Sequence, residues 1–224
     1  MAAVQVAYGV IRSIRNAGLL LFASVGLATA NPVTIAAFGD SLTQGFGLVA
    51  DEGFVPQLQR WLDDAGAKVT VINAGVSGDT TAGGLSRIEW TLTPDVDAII
   101  VALGGNDLLR GVDPSSSRAN LDGILQVATE RNLEVLLVGM EAPSNFGAEF
   151  KLAFDAMYPE LSETYDVLYH PNFLRALSEQ TDRAATLQRY MQGDGIHPNA
   201  DGVALIVDDL GPSVLELVAR ATSE

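Results

Sequence analysis

Cysteine is absent from these 224 residues, histidine occurs twice, and lysine plus arginine number 13 against 28 aspartates and glutamates. Without cysteine there is no disulfide, no thiol nucleophile and no thiolate metal ligand, so stability has to come from a packed core. The two histidines, His170 and His197, lie far apart, and the carboxylates Asp40, Asp79 and Asp107 fall in separate segments without a recognised ligand spacing. No metal is therefore expected. The formal charge of −15 argues against a nucleic-acid partner and against attraction to anionic lipid headgroups, because such a surface repels polyanions. Plain solubility accounts for most of that charge. After residue 30 no long apolar run occurs, so no stable membrane insertion is expected there.

The first thirty residues read differently. Arg12 and Arg15 precede the apolar stretch Ala17 to Leu27, which ends in Ala28-Thr29-Ala30, a small-x-small pattern of signal-peptide cleavage. The stretch is short of the ~20 apolar residues of a spanning helix. No cysteine exists to carry a lipid at the new N-terminus. Residues 1–30 are therefore expected to be a signal peptide, cleaved near Ala30/Asn31, with release to the periplasm or the exterior. The rest, 31–224, is expected to form one domain, a monomer with net charge −17 once both leader arginines are gone. About 190 residues suffice to bury a core without staples.

Apolar runs at 33–38, 69–74, 97–103 and 134–140, with a shorter one at 166–170, suit buried parallel strands. Between them, helical spacing appears at about 54–66, 80–92, 115–131 and 147–164, and again from about 199 to 221. This alternation predicts an α/β fold, a doubly wound parallel sheet of about five strands between two helical layers. Such sheets bind ligands at the C-terminal ends of their strands.

Polar blocks fall at those ends. Gly39-Asp40-Ser41-Leu42 directly follows the first run, and Asp194-Gly195-Ile196-His197 stands about 150 residues later. Together they supply a nucleophile, a base and a carboxylate to orient the base. In a tight turn, positions i and i+3 fall on one side, so Asp194 can reach one imidazole nitrogen while the other faces a cleft. Pro198 keeps His197 extended and out of a helix. Singly, each block has a plainer account: Ser41 as a helix cap, Asp-x-x-His as an exposed turn. Their joint presence in a chain with two histidines favours catalysis. Gly78 follows the second run, and Leu103-Gly104-Gly105-Asn106-Asp107 the third, offering backbone and amide donors suited to an oxyanion hole. A strand-to-helix turn capped by Asp79 or Thr80, and an Asx-turn at Asn106, are the plainer accounts.

Through FGDSLTQGFG, INAGVSGDT, LGGNDLLRG and GDGIHPN, the chain resembles the SGNH hydrolases, or GDSL esterases, over nearly all of its length after residue 32. The likeness is strongest to the secreted bacterial arylesterase, thioesterase and lysophospholipase group. The resemblance implies strand order 2-1-3-4-5, Ser41 as nucleophile, His197 as base and Asp194 as its partner. It further implies Gly78, Asn106 and the Ser41 N–H as oxyanion donors, and no cofactor. The substrate expected is a small ester: an aryl or short-to-medium acyl ester, possibly extending to thioesters and lysophospholipids. The loops after Asn106 and after the fourth strand, with Leu108, Leu109 and Pro143, are expected to line the acyl pocket. His170 is assigned no chemical role, Asp40 a backbone-holding one, and Asp79 and Asp107 capping or loop-ordering ones. The competing readings are a carbohydrate O-deacetylase and a non-catalytic binding module. The latter fits poorly, because no phosphate-cradling G-x-x-x-x-G-K-[ST] loop is present.

Overall fold

The computed structural model describes residues 32–223; the proposed leader lies outside them. Five strands, β1 (Val33–Gly39), β2 (Val69–Gly75), β3 (Ala98–Ala102), β4 (Glu134–Val138) and β5 (Leu168–His170), form one parallel sheet in the order β2-β1-β3-β4-β5. The helices are α1 (Ser41–Gln44), α2 (Phe54–Asp64), α3 (Thr81–Thr91), α4 (Gly105–Arg110), α5 (Pro114–Glu130), α6 (Ala148–Tyr165), α7 (Arg175–Ser178), α8 (Arg183–Tyr190) and α9 (Ala200–Ala221). Among the described residues no helix is long and apolar enough to cross a membrane.

Strand residues alternate between two cores, as the period-2 geometry of a strand requires. Ile35, Ala37, Ile100 and Leu136 face Phe54, Leu58 and Leu62 of α2 and Val203, Ile206, Leu210 and Leu217 of α9. Ala36, Phe38, Ile99, Val101 and Leu137 face Ile88 of α3, Leu121, Ile124 and Leu125 of α5, and Phe154, Met157 and Leu161 of α6. Because both faces are covered, the strands read as continuous apolar runs rather than alternating ones. Each fully buried aliphatic side chain contributes roughly 1.5–3 kcal/mol through removal from water.

Caps set the helix starts. Asp113 accepts from Ser115 N with Pro114 in the first helical position of α5, Asp182 caps α8 through Ala185 N, and Asn199 caps α9 through Gly202 N. The main helices begin and end within two residues of the expected bounds. Two corrections follow. The Leu108-Leu109-Arg110 segment, expected to be loop, is the body of α4, because Gly104 at φ +124° turns the chain sharply into a helix after β3. A Cβ at Gly104 would overlap the Tyr158 hydroxyl, which donates to the Leu103 carbonyl at 2.9 Å. Between β5 and His197 lie α7 and α8, where no helix was expected.

In register, Gly39 of β1 lies beside Gly75 of β2 and Ala102 of β3. The segments after these three strands therefore emerge at one edge, and Ser41 starts there.

Candidate active site

Ser41 opens α1, and Asp40 caps that helix, accepting from Leu42 N at 3.0 Å. Its hydroxyl is 2.9 Å from His197 Nε2, although the two residues are 156 positions apart. His197 Nδ1 in turn lies 2.6 Å from Asp194 Oδ2. A carboxylate accepts only, so Nδ1 carries the proton and Nε2 is left as an acceptor for the serine O–H. The other oxygen, Asp194 Oδ1, accepts from Ile196 N at 2.9 Å and His197 N at 3.0 Å. The bond to the imidazole, then the backbone N–H groups of His197 and Ile196, hold the Asp194 carboxyl down at about 2. It is thus ionised at neutral pH. Phe46 packs its ring 4.7 Å from the imidazole, tilted by 40°.

Asn106 sits in the first turn of α4 and lines the same cleft as Ser41 and His197. One of its amide N–H groups points to Asp40 Oδ2 at 3.2 Å, which leaves the second available. Asp40 is buried, and burial pushes its carboxyl up to about 6 against the bonds from Leu42 and Asn106. Gly78 lies in the turn after β2 at φ +83°, its carbonyl accepting from Arg110 Nη2 at 2.7 Å. It is not among the residues lining the cleft.

The cleft encloses about 670 Å³. Leu108, Leu109 and Pro143 line it, as do Met140 and Phe146. A further wall comes from Leu174 just before α7, Leu177 of α7, and Arg183 and Leu187 of α8, with Met191 and Ile196 beside them. None of the spans expected from periodicity covers these residues. The signals available were the Leu174/Leu177 spacing and Asp182 as a cap before Arg183-Ala-Ala-Thr-Leu187.

The remaining polar residues are engaged structurally. Thr80 caps α3 through Gly83 N, and Asp79 pairs with Arg87 at 2.6 Å. Arg87 also donates to the carbonyls of Ala74 and Gly39. Asp107, fully buried, accepts from Thr81 N (2.9 Å), Thr81 Oγ1 (2.6 Å) and Ser117 Oγ (2.8 Å). Among the described residues no three histidine, aspartate or glutamate side chains gather as a metal site. His170 is buried at the end of β5, with Nδ1 3.3 Å from Ser213 Oγ and Nε2 3.3 Å from Asp209 Oδ2. Burial pushes its pKa down, against the pull of the Asp209 carboxylate.

The model of the GDSL-like lipase/acylhydrolase family matches residues 37–205. An esterase named TesA from Pseudomonas aeruginosa is 34% identical over 186 residues, which cover 83% of this chain and 89% of that protein. A protein of Escherichia coli named thioesterase 1/protease 1/lysophospholipase L1 is 35% identical over 187 residues, 83% of this chain and 85% of that one. Among solved structures, AlinE4, described as an SGNH-hydrolase family esterase, superposes with a TM-score of 0.67 at 44% identity, covering 82% of this chain and 95% of that chain.

Proposed function

The chain belongs to the GDSL-like lipase/acylhydrolase family and hydrolyses ester bonds, and from that premise we propose that it does so through an acyl-enzyme on Ser41. The observation that carries this reading is the continuous line Ser41 Oγ, His197 Nε2, His197 Nδ1, Asp194 Oδ2, with contacts of 2.9 and 2.6 Å, whose serine and histidine line the cleft. As Ser41 attacks the ester carbonyl, His197 takes its proton, and the imidazolium so formed is stabilised by ionised Asp194. The carbonyl oxygen becomes an oxyanion and accepts from the free Asn106 N–H and the Ser41 backbone N–H; Gly78 N–H, the third donor that the family resemblance implies, lies outside the residues lining the cleft. His197 then protonates the leaving alcohol or thiol. Water attacks the acyl-enzyme with His197 again as base, which restores Ser41.

The leucines, Met140 and Phe146 of the lining favour aryl and short-to-medium acyl esters beside polar Glu141, Asn145, Gln180 and Arg183, and the names of the relatives extend the range to thioesters and lysophospholipids. Those names speak for such substrates over an acetylated glycan, and a serine already hydrogen-bonded to its base speaks against a binding module. The protein is proposed to act alone, as a monomer without cofactor. Residues 1–30 are proposed to direct export and to be removed near Ala30/Asn31.

The test is a series of nitrophenyl esters of graded acyl length on the purified protein, with fluorophosphonate labelling. Turnover and labelling are expected in the wild type, and Ser41→Ala should lose labelling and several orders of magnitude in rate. A wild type that turns over none of the esters and resists labelling would overturn the reading.

A further inference from the structure

His197 is carried by a short hairpin. Met191 bridges Pro198 in antiparallel fashion, Gln192 N donates to the His197 carbonyl at 2.8 Å, and Asn199 N donates to the Tyr190 carbonyl at 2.9 Å. Ser41 stands on a separate segment, whose turn is closed by Phe46 N donating to the Ser41 carbonyl at 3.1 Å. Beyond the catalytic contact and the packing of the Phe46 ring on the imidazole, one side chain among the described residues hydrogen-bonds to both. Gln192 Nε2 donates to the Phe46 carbonyl at 2.8 Å and to the Pro198 carbonyl at 2.9 Å. A primary amide has two N–H groups, and both are spent on this span. Gly47, next to Phe46, has φ +77°, and a Cβ there would overlap the Gln192 amide oxygen. The approach therefore needs both a glutamine and a glycine.

We propose that Gln192 is a positioning residue for acyl transfer, clasping the Phe46 carbonyl to the Pro198 carbonyl so that His197 Nε2 is held at Ser41 Oγ and the Phe46 ring stays against the imidazole. The clasp acts on the residues flanking each reacting group: Phe46 is tied to Ser41 through its own N–H, and Pro198 follows His197 directly. Gln192 is not among the cleft-lining residues, so it does not act by touching substrate. Losing the span releases the hairpin from the serine segment and lengthens the Oγ–Nε2 contact. A misplacement of about 1 Å in such a pair costs up to about 10²-fold in rate.

The inference rests on the assignment of Ser41 and His197 as nucleophile and base, and its test separates the two. Gln192→Met keeps the length of the side chain and removes both donors; Gln192→Glu sets a carboxylate against two carbonyl oxygens. The methionine variant should lower kcat on a nitrophenyl ester by about 10- to 10²-fold with KM unchanged, and should slow fluorophosphonate labelling by the same factor. The glutamate variant should lose more; the methionine variant carries the test if the charged one does not fold. In a His197→Ala background, Gln192→Met should cause no further loss, because a residue acting through His197 has nothing left to position. A methionine variant within twofold of the wild type would overturn the clasp, as would equal losses in both backgrounds. Wild-type turnover in Ser41→Ala would overturn the acyl-enzyme assignment itself.

Discussion

Asn106 shares its amide between Asp40 and the cleft, so its effect should appear where charge develops. Asn106→Ala is expected to lower kcat by roughly 10²–10³-fold with little change in KM, since the donor matters more to an oxyanion than to a ground-state carbonyl. A raised KM at unchanged kcat would make it a binding residue instead. Asp40 offers a pH test. Its carboxyl is raised from 3.8 to about 6 in the folded protein, chiefly by burial. The folded state therefore holds a proton more tightly than the unfolded chain, and the stability this gives is complete below about pH 4 and lost as pH rises through about 6. Asp40→Asn removes that dependence. The melting temperature of the variant minus that of the wild type should be more positive at pH 7.5 than at pH 4, and a flat difference would show that Asp40 does not titrate in this window.

Elements are tied together by Asp107, whose buried carboxylate links α4 to the start of α3 and to Ser117 of α5. It meets the N-terminal end of α3, where a negative charge is favoured. Asp107→Ala leaves Thr81 N–H and the Ser117 hydroxyl buried without an acceptor, each costing about 1–3 kcal/mol. Urea unfolding should show a loss of at least about 2 kcal/mol. Turnover should fall as well, because α4 carries Asn106. A neutral outcome would mean that water replaces the carboxylate. At this scale the sequence was legible where periodicity runs long: α2, α3, α5, α6 and α9 match their expected spans within two residues. It was not legible in α4, α7 and α8, which span only 6, 4 and 8 residues. Over one or two turns the apolar period barely repeats, and caps such as Asp182 become the main signal.

The whole molecule carries a net charge of −15, and the proposed leader contributes only positive charge to it. N-terminal sequencing of exported protein should begin at or near Asn31, since Ala30 ends the small-x-small pattern. An intact Met1 recovered with membranes would show an uncleaved anchor. The sheet order β2-β1-β3-β4-β5 is the one that the family resemblance implies. Composition and periodicity alone reach only the parallel α/β class, because strand order depends on which strand edges pair and not on any local pattern.

Local sequence supplies the chemistry: a serine after a buried strand, an aspartate three residues before a histidine, and an asparagine after a third strand. These are local facts, and the Asp194–His197 contact follows from local geometry, since a turn brings i and i+3 together. That His197 reaches Ser41 across 156 residues follows from the packed fold, for the contact depends on where α9 packs against α2 and the sheet. The packed fold likewise decides that α7 and α8 wall the cleft and that Gln192 bridges two segments far apart in the chain. Such contacts arise when separate elements bury their apolar faces against one sheet, and no single stretch of sequence records where they will meet.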